Sequence, residues 1–312
     1  GKALRTLNGH MDRVTAAAFS PNGAQIVSVS WDKTLKLWDV HTGAELHTLS
    51  SHSGRVTAAT FSPDGNLLIS ASRDKTLKLW DAHTGVELHT LSGHTDEVTA
   101  TAFSPDSTQI ISASGDGTLK LWDTHTGIEL FTLRDNSLEA IHAVAYSPDA
   151  ASIVSASSDK KLKLWEATSA GVEILIFPSL GVITALAMHP WQALAACGDG
   201  VGGLYLLDLL GIEYGPIIVT VGLKRKWFKN VRFVRCPACQ QEHVIRKDNL
   251  GRKLTCSTPG CKLEMKINNF TIGEEKEFPD ISPSANPAQR TKTKKPMAYD
   301  IYVCYSQKDK QI

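Results

Sequence analysis

Residues 9–49 read GHMDRVTAAAFSPNGAQIVSVSWDKTLKLWDVHTGAELHTL. The same pattern returns in residues 51–91 as SHSGRVTAATFSPDGNLLISASRDKTLKLWDAHTGVELHTL, and in residues 93–133 as GHTDEVTATAFSPDSTQIISASGDGTLKLWDTHTGIELFTL. A tryptophan marks each unit and recurs every 42 or 43 residues, at Trp38, Trp80, Trp122 and Trp165. A fixed period of this size predicts a repeat fold.

Each unit contains four short β-rich runs separated by turn-forming residues. In the first unit the runs cover residues 14–19, 25–30, 34–38 and 45–49, with Ser-Pro-Asn-Gly, Trp-Asp-Lys and His-Thr-Gly between them. Four-stranded antiparallel units repeated around an axis form a β-propeller. The sequence therefore predicts an all-β propeller over residues 1–221, with five four-stranded blades, the last completed by residues 212–221.

Three features of the unit resemble the WD-repeat family: the Gly-His pair, the aspartate in the turn before the third strand, and the Trp-Asp pair that closes it. The match is strongest in the first three units. The fourth unit, residues 137–177, has Ser137 in place of histidine and Glu166 in place of aspartate. The fifth, residues 181–221, has Leu207 in place of the tryptophan.

The resemblance implies a buried hydrogen-bonded network of histidine, aspartate, serine and tryptophan in each of the first three blades. Its members would be His10, Asp32 and Trp38 with Ser28 or Ser30; His52, Asp74 and Trp80; and His94, Asp116 and Trp122. A Ser-His-Asp set also suits a hydrolase. Because the set recurs in register with a tryptophan that a triad does not need, we expect an architectural role and no catalytic residue.

The opening residues GKALRTLNGH align with GAELHTLSSH one repeat later, which predicts an outer strand at residues 4–7 without a blade of its own. Either this strand completes the last blade and closes a small ring, or further blades precede Gly1. The second alternative is favoured because residues 212–221 already offer the last blade a fourth strand. The chain is thus expected to be a fragment with an incomplete ring.

Propellers of the WD-repeat family commonly bind partners through the loops after each outer strand and between the second and third strands. On this sequence, that implies a protein-binding face and no small-molecule substrate. Trp31 either anchors a partner or packs on a neighbouring loop, and exposed tryptophan and arginine are typical anchors. The candidate residues are Met11, Asp12, Arg13, Trp31, Arg55, Arg73, Asp96, Glu97 and Ser158.

Four cysteines lie in two pairs, Cys236 with Cys239 and Cys256 with Cys261. Four thiolates at this spacing can surround one tetrahedral zinc ion, and a closed set of protein ligands indicates a structural site. The arrangement resembles a zinc ribbon over residues 222–272. The second pair is more widely spaced than usual, so His243 is an alternative to Cys261.

The net charge of +1 conceals two oppositely charged regions. Residues 1–221 carry 14 basic and 23 acidic side chains, whereas residues 222–272 carry 12 basic and 3 acidic ones. Basic residues near Trp227 and Phe228 suit nucleic-acid binding through residues 224–266. The alternative is a solvated basic face that rests against the acidic propeller.

The end of the chain predicts a flexible linker at residues 273–298, rich in Pro, Ser, Thr and charge. Residues 299–312, which include YDIYVCYSQKDK, resemble the start of a Toll/interleukin-1 receptor (TIR) domain. That resemblance implies an alternative role as the sensor arm of a signalling or defence protein, with any NAD cleavage requiring residues beyond 312. No apolar run is long enough to span a membrane and no signal peptide is present, which favours a cytoplasmic scaffold.

Overall fold

The computed structural model of the chain describes residues 3–274, apart from residues 135–136, 169–171, 190–191, 210–214 and 227–228. The regular secondary structure of the described residues consists of β-strands and one short 3-10 helix at Lys247–Asn249. Within these ranges, no helix is long and apolar enough to cross a membrane. The predicted all-β propeller architecture is confirmed.

Four consecutive units each form a four-stranded antiparallel blade in which neighbours in sequence are neighbours in the sheet. The first blade contains β1 (Val14–Phe19), β2 (Gln25–Ser30), β3 (Leu35–Asp39) and β4 (Glu45–Leu49). The second contains β5 (Val56–Phe61), β6 (Leu67–Ser72), β7 (Thr76–Asp81) and β8 (Glu87–Ser92). The third contains β9 (Val98–Phe103), β10 (Gln109–Ser114), β11 (Thr118–Asp123) and β12 (Glu129–Arg134). The fourth contains β13 (Ile141–Tyr146), β14 (Ser152–Ser157), β15 (Lys161–Glu166) and β16 (Glu173–Pro178).

The fifth blade has three strands in the described residues: β17 (Ile183–Met188), β18 (Leu194–Asp199) and β19 (Leu204–Asp208). The prediction of a fourth strand from residues 212–221 was wrong. Residues 217–226 form β20 (Ile217–Lys226), which pairs with strands of the following sheet. The physical reason is that Ile217, Val219 and Val221 are buried in the apolar core of that sheet.

The C-terminal sheet has five strands in the order β22-β21-β20-β24-β23, and β20 and β24 run parallel. Its remaining strands are β21 (Lys229–Arg235), β22 (Glu242–Ile245), β23 (Lys253–Thr255) and β24 (Glu264–Glu274). Strand β24 continues two residues into the segment that the sequence predicts to be a linker. We call this unit the cysteine sheet, because it contains all four cysteines of the predicted metal site.

Adjacent blades share their cores. The first core cluster joins Val27 and Leu37 of the first blade to Leu68 and Trp80 of the second. The next two clusters repeat this arrangement one blade further on each time. Fully burying a side chain of this size contributes about 1.5–3 kcal/mol. A single blade would expose both of its apolar faces to water, so each blade must pack against its neighbours to be stable.

A threonine in the inner strand of each of the first three blades links that strand to the next blade. Thr15 Oγ1 donates a hydrogen bond to the Val56 carbonyl at 2.9 Å, and Thr57 Oγ1 donates to the Val98 carbonyl at 2.6 Å. Thr99 Oγ1 donates in the same way to Ile141 O. These bonds set the inner strands side by side, so the loops at their ends lie at one end of the propeller.

The blades contact one another in chain order, through β1 with β5, β5 with β9, β9 with β13 and β13 with β17. No contact of similar extent joins the first and fifth blades in the described ranges, so these blades form an open arc.

Residues 4–7 do not form the predicted strand, because no described strand lies beside them to complete a ladder. Arg5 and Leu7 nevertheless contact the Gly43 turn in the way that His47 and Leu49 contact the Gly85 turn.

The cysteine sheet packs against turns of the third and fourth blades. Asn268 Nδ2 donates to the Pro105 carbonyl, and Ile218 N donates to the Pro148 carbonyl, both at 3.1 Å. These Ser-Pro-Asp turns join the first and second strands at the end opposite to Arg13 and Trp31. The other end of the propeller is thus left free by the cysteine sheet.

Candidate functional site

A four-residue network ties the outer loop of the first blade to its interior. His10 Nδ1 lies 2.8 Å from Asp32 Oδ2, and His10 Nε2 lies 2.8 Å from Ser28 Oγ. Trp38 Nε1 donates to the same hydroxyl at 2.8 Å. Of the two serines that the sequence left open, Ser28 occupies the network, whereas Ser30 donates to the Asp12 carbonyl.

The second and third blades repeat the network closely. His52 is bonded to Asp74 and Ser70, both at 2.8 Å, and Trp80 donates to Ser70 at 2.9 Å. The corresponding set in the third blade has contacts of 2.8–3.0 Å and contains His94, Asp116, Ser112 and Trp122.

The aspartates of the network are held in the ionised form. Burial opposes ionisation of Asp74, but hydrogen bonds from His52 and Thr76 outweigh that effect and hold its pKa well below 3.8. The pKa of Asp116 is lowered in the same way by hydrogen bonds from His94 and Thr118. Each aspartate also accepts backbone N–H groups, so it fixes the turn before the third strand.

The serine hydroxyls of these sets are poorly placed to attack a substrate. Ser70 and Ser112 have 0% of their surface exposed, and each hydroxyl already accepts a hydrogen bond from a tryptophan. A nucleophile must reach the reacting atom of its substrate. The contacts therefore support an architectural role for the Ser-His-Asp sets.

The fourth blade builds the equivalent site without histidine. Trp165 still donates to Ser155 at 2.9 Å, but Asp159 Oδ2 now lies 3.5 Å from Lys163 Nζ. Lys163 Nζ also lies 3.7 Å from Glu173 Oε2, which matches the pair of the equivalent Lys120 with Glu129 in the third blade. Sequence reasoning noted the missing histidine but missed the lysine that takes over, although its position in the third strand could have shown it.

The predicted partner-binding residues lie in loops at one end of the propeller, which we call the loop face. It consists of residues 10–13, 30–34, 52–55, 72–76, 94–97, 114–118, 139–140 and 158–160. One backbone bond recurs in it: Trp31 N donates to the Arg13 carbonyl and Arg73 N to the Arg55 carbonyl, both at 2.9 Å. Gly115 and Ser158 make the same bond in the third and fourth blades. Gly200 N makes it to the Val182 carbonyl in the fifth blade, so one repeated position carries Trp, Arg, Ser and, twice, Gly.

Trp31 packs against arginines of two blades. The Arg55 guanidinium carbon lies 4.0 Å from the centroid of the Trp31 ring, and that of Arg13 lies at 5.2 Å. Of the two alternatives for Trp31, the structure thus shows contact with neighbouring loops. Both arginines remain exposed, so the packing leaves cations at the surface.

The other predicted loop-face residues make contacts of different kinds. Arg73 Nε forms an ion pair with Glu97 at 2.8 Å, which links the second and third blades. Asp12 and Asp96 each accept the backbone N–H of the next residue and so shape their own turns. The Met11 side chain is almost fully exposed.

His142 lies in β13, beside the loop face, and sequence reasoning missed it. It stands at the inner-strand position of Thr15, Thr57 and Thr99, and its Nε2 lies 2.6 Å from Ser158 Oγ. Burial lowers the pKa of His142, while the nearby negative charge of Glu97 opposes that shift. The break in the threonine pattern was the available signal.

The four cysteines converge in the cysteine sheet. Their sulfur atoms all lie within 4.8 Å of one another, with Cys236 and Cys261 3.6 Å apart and Cys239 and Cys256 3.5 Å apart. A disulfide would require about 2.05 Å. Zinc–sulfur bonds of about 2.3 Å in a tetrahedron place the sulfurs roughly 3.8 Å apart. The spacing therefore fits one tetrahedral ion and excludes a disulfide in this arrangement.

The backbone presents these sulfurs in two tight turns. Gln240 N donates to the Cys236 carbonyl at 2.8 Å, and Cys261 N donates to the Thr258 carbonyl at 3.0 Å. The group contains Cys261 and does not include His243. The Thr258 hydroxyl lowers the pKa of Cys239, whereas burial raises that of Cys236.

Two predicted features cannot be placed. Residues 275–312 lie outside the described residues, and with them most of the predicted linker and the whole TIR-like segment. Trp227 and Phe228, the aromatic residues of the nucleic-acid hypothesis, also lie outside the described ranges.

The propeller and its recurring network define the class of protein. Residues 1–39, 43–81, 85–123 and 127–166, which together make up half of the chain, match the family described as "WD domain, G-beta repeat". The chain belongs to this family.

The chain is also similar to single-repeat stretches of curated proteins. It is 50% identical over 42 residues to U3 small nucleolar RNA-associated protein 21 of Saccharomyces cerevisiae, covering 14% of this chain and 4% of that protein. It is 46% identical over 43 residues to the small ribosomal subunit protein RACK1 of the same yeast, covering 14% of each. A third match, 49% over 45 residues, is to nuclear distribution protein PAC1-2 of Uncinocarpus reesii, covering 14% of this chain and 10% of that protein.

Proposed function

We propose that the chain is a binding scaffold whose loop face recognises a protein partner, and that it is not itself an enzyme. One observation carries this proposal. A single repeated position, fixed by the same backbone bond in five blades, bears Trp31, Arg73, Gly115, Ser158 and Gly200. Variation of side chains on a constant, rigid framework is typical of recognition surfaces.

The chemistry of this position supports a protein partner. Tryptophan and arginine dominate the binding energy of many protein interfaces, because they combine large contact area with directional hydrogen bonds. The cysteine sheet packs at the opposite end of the strands, so a partner can approach the loop face without displacing it. We expect the complex to form in the cytoplasm.

The relatives give support of a general kind. Two of the names, those of a small ribosomal subunit protein and of a protein associated with U3 small nucleolar RNA, describe assembly with other molecules. The aligned stretches cover only 4% to 14% of those proteins. Their individual partners are therefore not assigned to this chain.

The test is chemical cross-linking of the chain to a partner in extracts of the cells in which the protein occurs naturally, followed by mass spectrometry. The variant combines Trp31→Ala, Arg55→Ala and Arg73→Ala, and the matched control combines Leu204→Ala, Arg252→Ala and Lys253→Ala at other exposed sites. Loss of one specific partner from the first variant alone supports the proposal. Equal recovery by both variants and the unchanged chain contradicts it.

We also propose that Cys236, Cys239, Cys256 and Cys261 hold one structural zinc ion. The four thiol donors and their spacing support this assignment, and a full set of protein ligands leaves no site for a reactive water. Metal analysis of the purified chain should give about one zinc per chain, and Cys261→Ser should lower that content. Zinc content unchanged in that variant, or absent from the unchanged chain, contradicts the assignment.

A further inference from the structure

Two exposed arginines, Arg13 and Arg55, lie beside Trp31 on the loop face. Arg13 and Arg55 contact the Trp31 ring from different blades, which keeps their guanidinium carbons no more than about 9 Å apart. Stacking on an aromatic ring restricts a guanidinium but leaves its N–H edge available for hydrogen bonds. We call Arg13, Trp31 and Arg55 the arginine–tryptophan cluster.

The two arginines differ from the third arginine of this surface. Arg73 is neutralised by Glu97, whereas neither Arg13 nor Arg55 forms an ion pair within the described ranges. Residues 1–221 carry 14 basic and 23 acidic side chains, so the cluster is a positive patch on an acidic body. A local reversal of sign of this kind selects and orients a partner of opposite charge.

Building on the proposed function, we infer that the arginine–tryptophan cluster binds an extended acidic segment of the partner protein. In an extended strand, side chains at alternate positions lie on one face about 6.6–6.8 Å apart. That spacing can be spanned by two guanidiniums held within about 9 Å of each other. Each arginine then receives one carboxylate, and the Trp31 ring holds both arginines in place.

The surroundings favour a peptide over a nucleic acid. Asp12 precedes Arg13 directly, and Asp96 and Glu97 lie on the next part of the loop face. A nucleic-acid strand carries a negative charge about every 3.4 Å, so it would continue over these carboxylates. An acidic peptide of a few residues can end within the positive patch.

The experiment measures fluorescence anisotropy of labelled peptides with the full chain. The probe is the peptide Gly-Glu-Ala-Glu-Ala-Glu-Gly, and the comparison peptide has glutamine in place of each glutamate. At low salt the glutamate peptide should bind at least about tenfold more tightly, and added salt should weaken its binding. The double variant R13E/R55E should lose this preference, whereas R252E/K253E, with the same change in net charge on the cysteine sheet, should retain it.

Three results would overturn the inference: equal binding of the two peptides, retention of the preference in R13E/R55E, or tighter binding of a labelled single-stranded oligonucleotide at this cluster. If a melting curve shows that R13E/R55E is unfolded, the milder pair R13Q/R55Q replaces it. The same loss of preference for the glutamate peptide is expected. Failure of this inference can be told apart from failure of the proposed function. If only this inference fails, capture of the cross-linked partner still depends on the loop face, but the chain shows no preference for the glutamate peptide.

Discussion

Ser70 is the most informative residue for testing the network of the second blade. Replacing it by alanine removes the acceptor of Trp80 Nε1, at 2.9 Å, and the partner of His52 Nε2, at 2.8 Å. Both rings are buried, so neither nitrogen gains water in exchange. Each unsatisfied buried group costs about 1–3 kcal/mol, which suggests about 3 kcal/mol for Ser70→Ala. The melting temperature should fall by about 6–12 °C.

Urea unfolding and calorimetry of Ser70→Ala measure this loss, with Ser53→Ala as the control at an exposed serine of the same blade. The control should change stability by less than about 0.5 kcal/mol. Trp80→Phe removes the N–H that Ser70→Ala leaves without an acceptor. The loss of unfolding free energy in the double variant Ser70→Ala/Trp80→Phe should therefore be about 1 kcal/mol smaller than the sum of the two single losses. Equal stability of Ser70→Ala and Ser53→Ala would refute the account of the network.

Three further predictions concern charge, turns and blade contacts. Burial opposes ionisation of Glu87, but hydrogen bonds, first that from Lys78, lower its pKa from 4.5 to about 2. Its contribution is therefore complete above about pH 4.5 and lost as the pH falls through about 2, so Glu87→Gln should flatten the acid limb of a plot of melting temperature against pH. Gly127 and Gly23 both have positive φ, but only at Gly127 would a Cβ meet a side chain of the preceding blade, at 2.9 Å. Gly127→Ala should cost about 2–3 kcal/mol and Gly23→Ala about 1 kcal/mol in urea unfolding, and equal losses would contradict the contact between blades. Thr57→Val removes a bond to the next inner strand and should lower stability by about 1 kcal/mol in the same assay, whereas no loss would show that the bond contributes little.

The repeat predicts most of the propeller because its signals agree at several levels. Tryptophan, aspartate and turn residues recur at one period, and each set of four runs forms one blade. The fifth blade was harder to predict, because Leu207 replaces the tryptophan and residues 217–221 are apolar enough to suit either of two sheets. Pairing with β24 decides between the sheets, and a partner so distant in sequence gives no local signal.

Sequence reasoning also identified the loop-face residues but not their contacts. Trp31 and Arg55 are far apart in the chain, and their 4.0 Å approach depends on how two blades pack. The ion pair between Arg73 and Glu97 likewise crosses a blade boundary. The cysteine group was easier to predict than the loop-face contacts, because two pairs of cysteines close in sequence restrict the possible metal-site geometry before the fold is known.

The central claim is that the loop face, and not the cysteine sheet, receives the partner. Hydrogen–deuterium exchange of the chain with and without its cross-linked partner tests this claim without any substitution. We predict slower exchange in residues 10–13, 30–34, 52–55 and 72–76, with little change in residues 242–262. Protection confined to residues 242–262, with unchanged exchange in the loops, would contradict it.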